Sequence, residues 1–214
     1  MNTPQDSAYP PEFTIAAIHE ALAAHQPRTA PSKESPRRAA VAMILNNGGC
    51  GVECLFMKRA EHPEDPWSGH MSLPGGRQDP ADLSLEAAAR RETLEEVGLT
   101  LEPAMRLGRL HDIYGGRLSR FELTVSPYVY HCPEPGPIVH NEEVADTVWI
   151  PLAFLGDVQN IQNYVFPLDP QHRNFPSFQF GTYTIWGLTY RIIADFMNLF
   201  GIRLPTEKPL TNVE

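Results

Sequence analysis

Residues 84–98, Ser-Leu-Glu-Ala-Ala-Ala-Arg-Arg-Glu-Thr-Leu-Glu-Glu-Val-Gly, constrain the fold more than any other stretch of this chain. Ser84 suits a helix N-cap and Gly98 a helix end, so the run between them reads as a helix. On it Glu92, Glu95 and Glu96 fall at i, i+3 and i+4, which puts three carboxylates on one face. Stability alone would not choose this arrangement. Like charges at that spacing repel by about 0.2–0.5 kcal/mol per pair, and these lie near the negative end of the helix dipole. Arg91, four residues before Glu95, relieves part of the repulsion. A bare Glu-x-x-Glu-Glu is usually a solvated face, but two features argue otherwise here. Upstream, Pro74-Gly75-Gly76 cannot be regular structure and lets backbone approach a ligand closely. Ala87, Ala88 and Ala89 let the helix pack tightly on a sheet. A hard divalent cation such as Mg²⁺ gives the cluster a reason, because it takes oxygen ligands and keeps waters and substrate phosphates in its shell.

Composition supports that reading indirectly. The chain has 214 residues, 42% of them hydrophobic, enough for the core of one large domain. Its 17 Lys+Arg against 26 Asp+Glu leave a net charge of −9. So acidic a surface argues against a nucleic-acid polymer or an anionic membrane as partner. A phosphate-rich small molecule is compatible with it only through bound cations. Cys50, Cys54 and Cys132 cannot form a disulfide framework and read as thiols of a reducing compartment. No positive charge precedes Arg28, so a secretory leader is not expected. The apolar stretch Ile185–Ile202 is interrupted by Arg191 and Asp195, which makes it a core helix rather than a membrane span. The expectation is a cytoplasmic protein.

Along the chain, Ile15, Ile18 and Leu22 mark a helix over residues 12–25, followed by a proline-rich linker to Pro36. Residues 1–36 therefore read as an appendage, not an independent domain. Ala39–Leu45 and Val52–Arg59 read as strands joined by a turn. Met105–Ile113, Glu122–Tyr130 and Val144–Ile150 are further strands, and Leu152–Leu155 a short helix. Residues 157–180 have no period and read as irregular. Ile193, Met197 and Phe200 define a last helix over Tyr190–Phe200, ended by Gly201. Strands and helices do not alternate strictly, so the class is α+β.

Gly76, Asp82 and Arg91-Glu92-Thr93-Leu94-Glu95-Glu96-Val97-Gly98-Leu99 together resemble the Nudix box, G-x5-E-x7-R-E-U-x-E-E-x-G-U with U apolar. Asp82 stands where the box has its first Glu, Thr93 stands at an apolar position, and Gly76 to Arg91 is one residue longer. The longer form, Gly75-Gly76-Arg77-x-Asp79-Pro80-x-Asp82-x-Ser84, is similar to the coenzyme A diphosphatase branch of that family. Leu55–Ala60 and Gly69–Gly76 look like that branch's upstream signature, with Asp65 in place of an Arg and Leu73 in place of a Phe. The resemblance implies an α/β/α sandwich with a mixed sheet over residues 37–214, an N-terminal helix, and a C-terminal helical extension from about residue 157.

It also implies metal-dependent hydrolysis of a pyrophosphate bond in a nucleoside diphosphate derivative, coenzyme A or an acyl-CoA first. ADP-ribose, nucleotide sugars and dinucleoside polyphosphates stay open as substrates, and so does a homodimer. Glu92, Glu95 and Glu96 are the implied ligands of Mg²⁺ or Mn²⁺, directly or through water, with Glu92 and Glu96, one turn apart, the first choice as direct ligands and Glu95 a ligand or oriented by Arg91. Arg91, Glu92 and Glu95 are the implied catalytic group. Gly75, Gly76, Arg77 and Arg59 are candidates for substrate binding. The general base is either a box glutamate or a residue of a later loop. Asn141-Glu142-Glu143 offers such a loop, with Glu143 the sharper candidate, although exposed loop acids are the commoner meaning of such a pair. A reading of another class is a Nudix-fold regulator that binds a nucleotide without cleaving it. An interaction domain with surface glutamates is a third.

His111-Asp112 and His131-Cys132 lack metal-ligand spacing and read as strand-edge or core residues. Arg117 and Arg120 either meet phosphate or form a charged hairpin tip. Trp67 either stacks on a base or packs in the core, and Tyr183 and Trp186 read as anchors for the last helix or as part of the substrate pocket.

Overall fold

A run of alternating residues buried on both faces belongs in the middle of a sheet. In the computed structural model, which describes residues 13–30, 37–62, 67–115, 123–167, 169 and 172–206, that run is strand β1 (Arg37–Gly48). Ala40, Ala42 and Ile44 face one buried cluster; Ala39, Met43 and Leu45 face the other. Strand β2 (Gly51–Arg59) returns antiparallel from a tight turn, with Gly48 opposite Gly51. On the other edge of β1, β7 (Leu123–His131) runs parallel, with Ala39 opposite Val125 and Leu45 opposite His131. Two very short strands, β3 (Met71–Ser72) and β4 (Gly75–Arg77), pair with β2 and β1 respectively. Strands β5 (Arg106–Arg109) and β6 (Ile113–Tyr114) pair with β7, and β8 (Val144–Pro151) pairs with β2. The result is one mixed eight-stranded sheet.

Helices cover both faces. Helix α2 (Leu85–Val97) packs Leu85, Ala89 and Val97 onto Ala40, Ala42, Ile44, Leu55 and Met57. The opposite face takes α1 (Ile15–Ala24), α3 (Leu152–Gly156) and α4 (Gly187–Asn198), through residues such as Ile18, Leu155 and Phe196. This is the α/β/α sandwich with a mixed sheet that the resemblance implies. Thr14 caps α1 through the Ala17 amide, at 3.2 Å, so the helix starts three residues inside the expected span. No helix among the described residues is long and apolar enough to cross a membrane.

Two stretches differ from their sequence reading. The single strand expected over residues 105–113 is divided into β5 and β6. Pro127 of β7 accepts from the Leu110 amide at 3.0 Å but has no N–H to return, so the ladder is interrupted there. The backbone beyond it turns to the N-terminal linker instead: Asp112 N–H donates to Arg28 O, and Ala30 N–H donates to the Asp112 carboxylate. Residues 157–180, read as irregular, contain β9 (Ile161–Val165) and β10 (Asn174–Phe180), which join β11 (Tyr183–Trp186) in a three-stranded antiparallel sheet. That sheet is organised by contacts distant in sequence. Phe178 stacks against Tyr190 of α4 with ring centres 5.1 Å apart, and Tyr183 Oη donates to Asp146 of β8 at 2.6 Å. The C-terminal extension is thus a sheet followed by a helix, and α4 begins three residues before the expected Tyr190. Residues 1–12 and 31–36 of the N-terminal segment lie outside the described residues, as do Arg117 and Arg120.

The alanine face of α2 makes a direct test of this packing. Ala89 is fully buried against the small residues of β1. Ala89→Leu is expected to cost about 1–3 kcal/mol through overpacking, read as a lowered urea midpoint at unchanged m-value.

Candidate active site

The site is built where β4 meets α2. Gly75 pairs with Val41 of β1 at φ 142°, a conformation closed to other residues, and a Cβ there would run into the Ala40 carbonyl and the Val41 backbone. Gly75 N–H donates to Glu96 Oε2 at 2.7 Å. Ser84 Oγ caps α2 by accepting from the Ala87 amide at 3.1 Å, and Gly98 closes it at φ 72°. The buried stripe of this helix runs Leu85, Ala88, Ala89, Thr93, Glu96, Val97. Glu96 therefore stands on the core-facing side of the helix, not on its wet side, and is only 2% exposed. Thr93 occupies the same stripe and satisfies its hydroxyl on Ala89 O at 2.7 Å.

Burial pushes the Glu96 carboxyl up to about 8; the Gly75 amide opposes this, Glu92 adds to it, and Arg59 opposes it. Glu92, 19% exposed at its side chain, is also raised by burial, against the pull of Arg91. Gly76 leaves room for Glu92, because a Cβ at Gly76 would lie 2.5 Å from the Glu92 carboxyl carbon. Both glycines of the Pro-Gly-Gly run thus shape the carboxylate pair.

Arg91 organises the remaining acids. Its Nε and Nη2 donate to the two Asp82 oxygens at 3.0 and 2.9 Å, a bidentate pair. Nη2 also lies 3.0 Å from Glu92 Oε1 and donates to Arg77 O at 3.2 Å, while Nη1 donates to Glu95 Oε2 at 3.0 Å. Glu95 is 53% exposed at its side chain, held outward by Arg91. It does not line the cleft that Glu92 and Glu96 face.

Glu143 does line it. Its loop is stitched to the end of α2 by backbone: Asn141 N–H donates to Glu96 O at 3.2 Å, and Val139 N–H to Val97 O at 3.1 Å. These bonds satisfy carbonyls that every helix end leaves unpaired. Ala60 N–H donates to Glu143 O at 2.8 Å, tying the loop to the end of β2 as well. The Glu143 charge raises both Glu92 and Glu96, so the three carboxylates feel one another. The cleft, about 1360 Å³, is also lined by Arg59, Gly75, Gly76 and Arg77.

The structure therefore brings together Glu92, Glu96, Glu143, Arg59, Gly75, Gly76 and Arg77, and leaves Glu95 aside. Among the described residues, no three His, Cys, Asp or Glu side chains are grouped as one metal ion would need. What is available is a carboxylate pair, Glu92 and Glu96, rather than a triad. His111 stacks on His25 with ring centres 4.6 Å apart, away from the cleft. Asp82, which the sequence places in the box, is held by Arg91 and does not line the cleft. One set of cleft residues was not grouped by the sequence reading. His70, Phe166, Phe175 and Trp186 line the cleft as an aromatic wall that no period announces.

Arg91 holds the Asp82 carboxyl below the usual carboxylate range, chiefly by hydrogen bonding. A group lowered in the folded state contributes stability above its unfolded pKa of about 3.9, lost as pH falls through the folded value. The melting-temperature deficit of Asp82→Asn should be full at pH 7 and shrink below about pH 4.

A family model, the NUDIX domain, matches residues 36–169. An uncharacterised protein of Schizosaccharomyces pombe is 34% identical over 165 residues, 67% of this chain and 50% of that one. The chain thus spans half the length of that relative. A mitochondrial coenzyme A diphosphatase of Homo sapiens is 32% identical over 173 residues, 78% of this chain and 71% of that one. A MutT/nudix family protein from Enterococcus faecalis shares the fold, with a TM-score of 0.55 at 17% identity over 88% of this chain and 69% of that one. With the family model spanning well over half its residues and Glu92 and Glu96 of the box on one cleft, the chain belongs to the Nudix family of hydrolases.

Proposed function

We propose that this chain is a divalent-metal-dependent pyrophosphohydrolase that cleaves the pyrophosphate bond of a nucleoside diphosphate derivative, coenzyme A or an acyl-CoA first. The observation that carries this is Glu96, a nearly inaccessible carboxylate fixed by the Gly75 amide beside Glu92. Two desolvated carboxylates in one cleft are costly unless a cation joins them. The residues fit Mg²⁺ or Mn²⁺: the donors are hard oxygens, and Mg²⁺ typically uses one or two carboxylates plus substrate phosphates. Glu92 and Glu96 would hold the ion, which when bound supplies charge neutralisation of the diphosphate and an acidified water.

The chain's own residues supply the rest. Arg59 and Arg77 give the acidic cleft positive charge for phosphate oxygens, and Gly76 lets the diphosphate approach the backbone. Arg91, fixed on Asp82, keeps Glu92 in place. Glu143 is exposed within the cleft and accepts the proton as water oxygen bonds to phosphorus. The bridging P–O bond breaks, the leaving phosphate takes the electron pair, and two monophosphates result. Glu95 has no place in this scheme beyond balancing Arg91. The coenzyme A assignment is supported by the Gly75–Ser84 motif and by the human relative. The regulator reading has less support, since a module that only binds has no need of so strained a carboxylate pair.

A substrate panel with Mg²⁺ checks the reading: coenzyme A, ADP-ribose, nucleotide sugars and dinucleoside polyphosphates. Release of 3′,5′-ADP and phosphopantetheine is expected; AMP and ribose 5-phosphate as the dominant products would replace coenzyme A by ADP-ribose. Glu96→Gln, which keeps an acceptor for Gly75, should lose at least about 100-fold in turnover. Turnover near wild type would sink the metal assignment. For Glu143→Gln a loss of about 10²–10⁴-fold in kcat is expected, and a loss confined to KM would remove Glu143 as the base.

A further inference from the structure

We infer that the C-terminal elements give the cleft an aromatic subsite that stacks the substrate's nucleobase, with Trp186 at its centre. This deepens the pyrophosphohydrolase reading and rests on it for the identity of the ligand. Trp186, the last residue of β11, has its ring centre 5.1 Å from His70, 4.9 Å from Phe166 and 5.4 Å from Phe175. His70 and Phe166 meet edge to face at 5.5 Å. All four rings line the same cleft as Glu92, Glu96 and Glu143. Rings packed edge-on and tilted against one another hold the Trp186 indole in place, and an indole so held offers a face on which a base can stack.

The wall is held in register with the carboxylates. Thr189 Oγ1 of α4 donates to Met71 O at 3.0 Å, and Tyr183 Oη donates to Asp146 of β8. Glu143 immediately precedes β8, and His70 lies five residues before Gly75. That covalent path limits the separation of His70 from Gly75 to about 18 Å. The cleft, near 1360 Å³, exceeds the roughly 300–1,000 Å³ of ordinary ligand pockets, leaving room for a group on each side of a diphosphate. Phe175 and Trp186 lie beyond residue 169, where the family match ends. The extension thus contributes Trp186, the centre of the wall, and Phe175, while His70 and Phe166 come from within the matched domain.

The test compares AMP with ribose 5-phosphate, which differ only by the base, in calorimetric titrations of the full chain with Mg²⁺. AMP should bind about 5- to 100-fold more tightly. Trp186→Ala should bring that ratio close to 1 while ribose 5-phosphate affinity stays within about twofold, and Trp186→Phe should keep most of the preference. If Trp186→Ala fails to fold, His70→Ala and the wild-type ratio decide. Equal binding of the two ligands by wild type, undetectable binding of both included, overturns the proposal. So does an unchanged ratio in folded Trp186→Ala, or competition by pantetheine in place of adenosine. Base preference without hydrolysis of any diphosphate would overturn the enzymatic reading and leave the subsite standing. Hydrolysis without base preference would do the reverse.

Discussion

The hydrogen bond from the Gly75 amide to Glu96 is the constraint around which the site is organised. It requires a helix packed so closely on the sheet that one of its acids points inward, and it requires a strand whose backbone turns an N–H toward that helix. The alanines of α2 meet the first condition. The second is met by Gly75, whose φ of 142° and lack of a Cβ let β4 pass against β1. The carboxylate so trapped is desolvated, and its preference for the neutral form expresses the same burial. A bound cation would reverse that preference, since the ion's charge dominates the local electrostatics.

A second tier of contacts keeps the trapped acid in company. Arg91 uses its planar fork on Asp82 and spends its remaining donors on Glu92, Glu95 and the Arg77 carbonyl. One guanidinium thus tethers the loop before α2, the strand β4 and the acids of the helix. At the other end, the orphan carbonyls of α2 are answered by Val139 and Asn141, which brings Glu143 to the cleft although it lies 47 residues after Glu96. Helix termination and site assembly are here the same set of bonds.

Much of this was legible in advance, for identifiable reasons. Ser84, Gly98 and the i, i+3, i+4 glutamates are local signals, and local signals survive without tertiary knowledge. The strands β1, β2, β7 and β8 were readable because their apolar runs are bounded by turn residues. Residues 157–180 were not, because Phe175 and Phe178 are buried by α3, α4 and Trp186, and no periodic pattern records partners so far away. Sequence spacing favoured Glu92 and Glu96, one turn apart, as direct ligands and left Glu95 as a ligand or as a partner of Arg91. It could not tell that a helix turned slightly about its axis buries Glu96, half-buries Glu92 and leaves Glu95 in solvent.

The sequence by itself determined that a capped helix would carry an acidic cluster behind a Pro-Gly-Gly loop, and that a net charge of −9 left room for phosphates only through cations. Those properties follow from covalent spacing, chain stereochemistry and charge. The tertiary structure decided which carboxylates form the pair, which loop acid joins them, and what walls the cleft. These depend on how α2 is rotated against β1, and on the small sheet and α4 folding back over β3 and β8. Such rotations and returns are set by packing across the whole core.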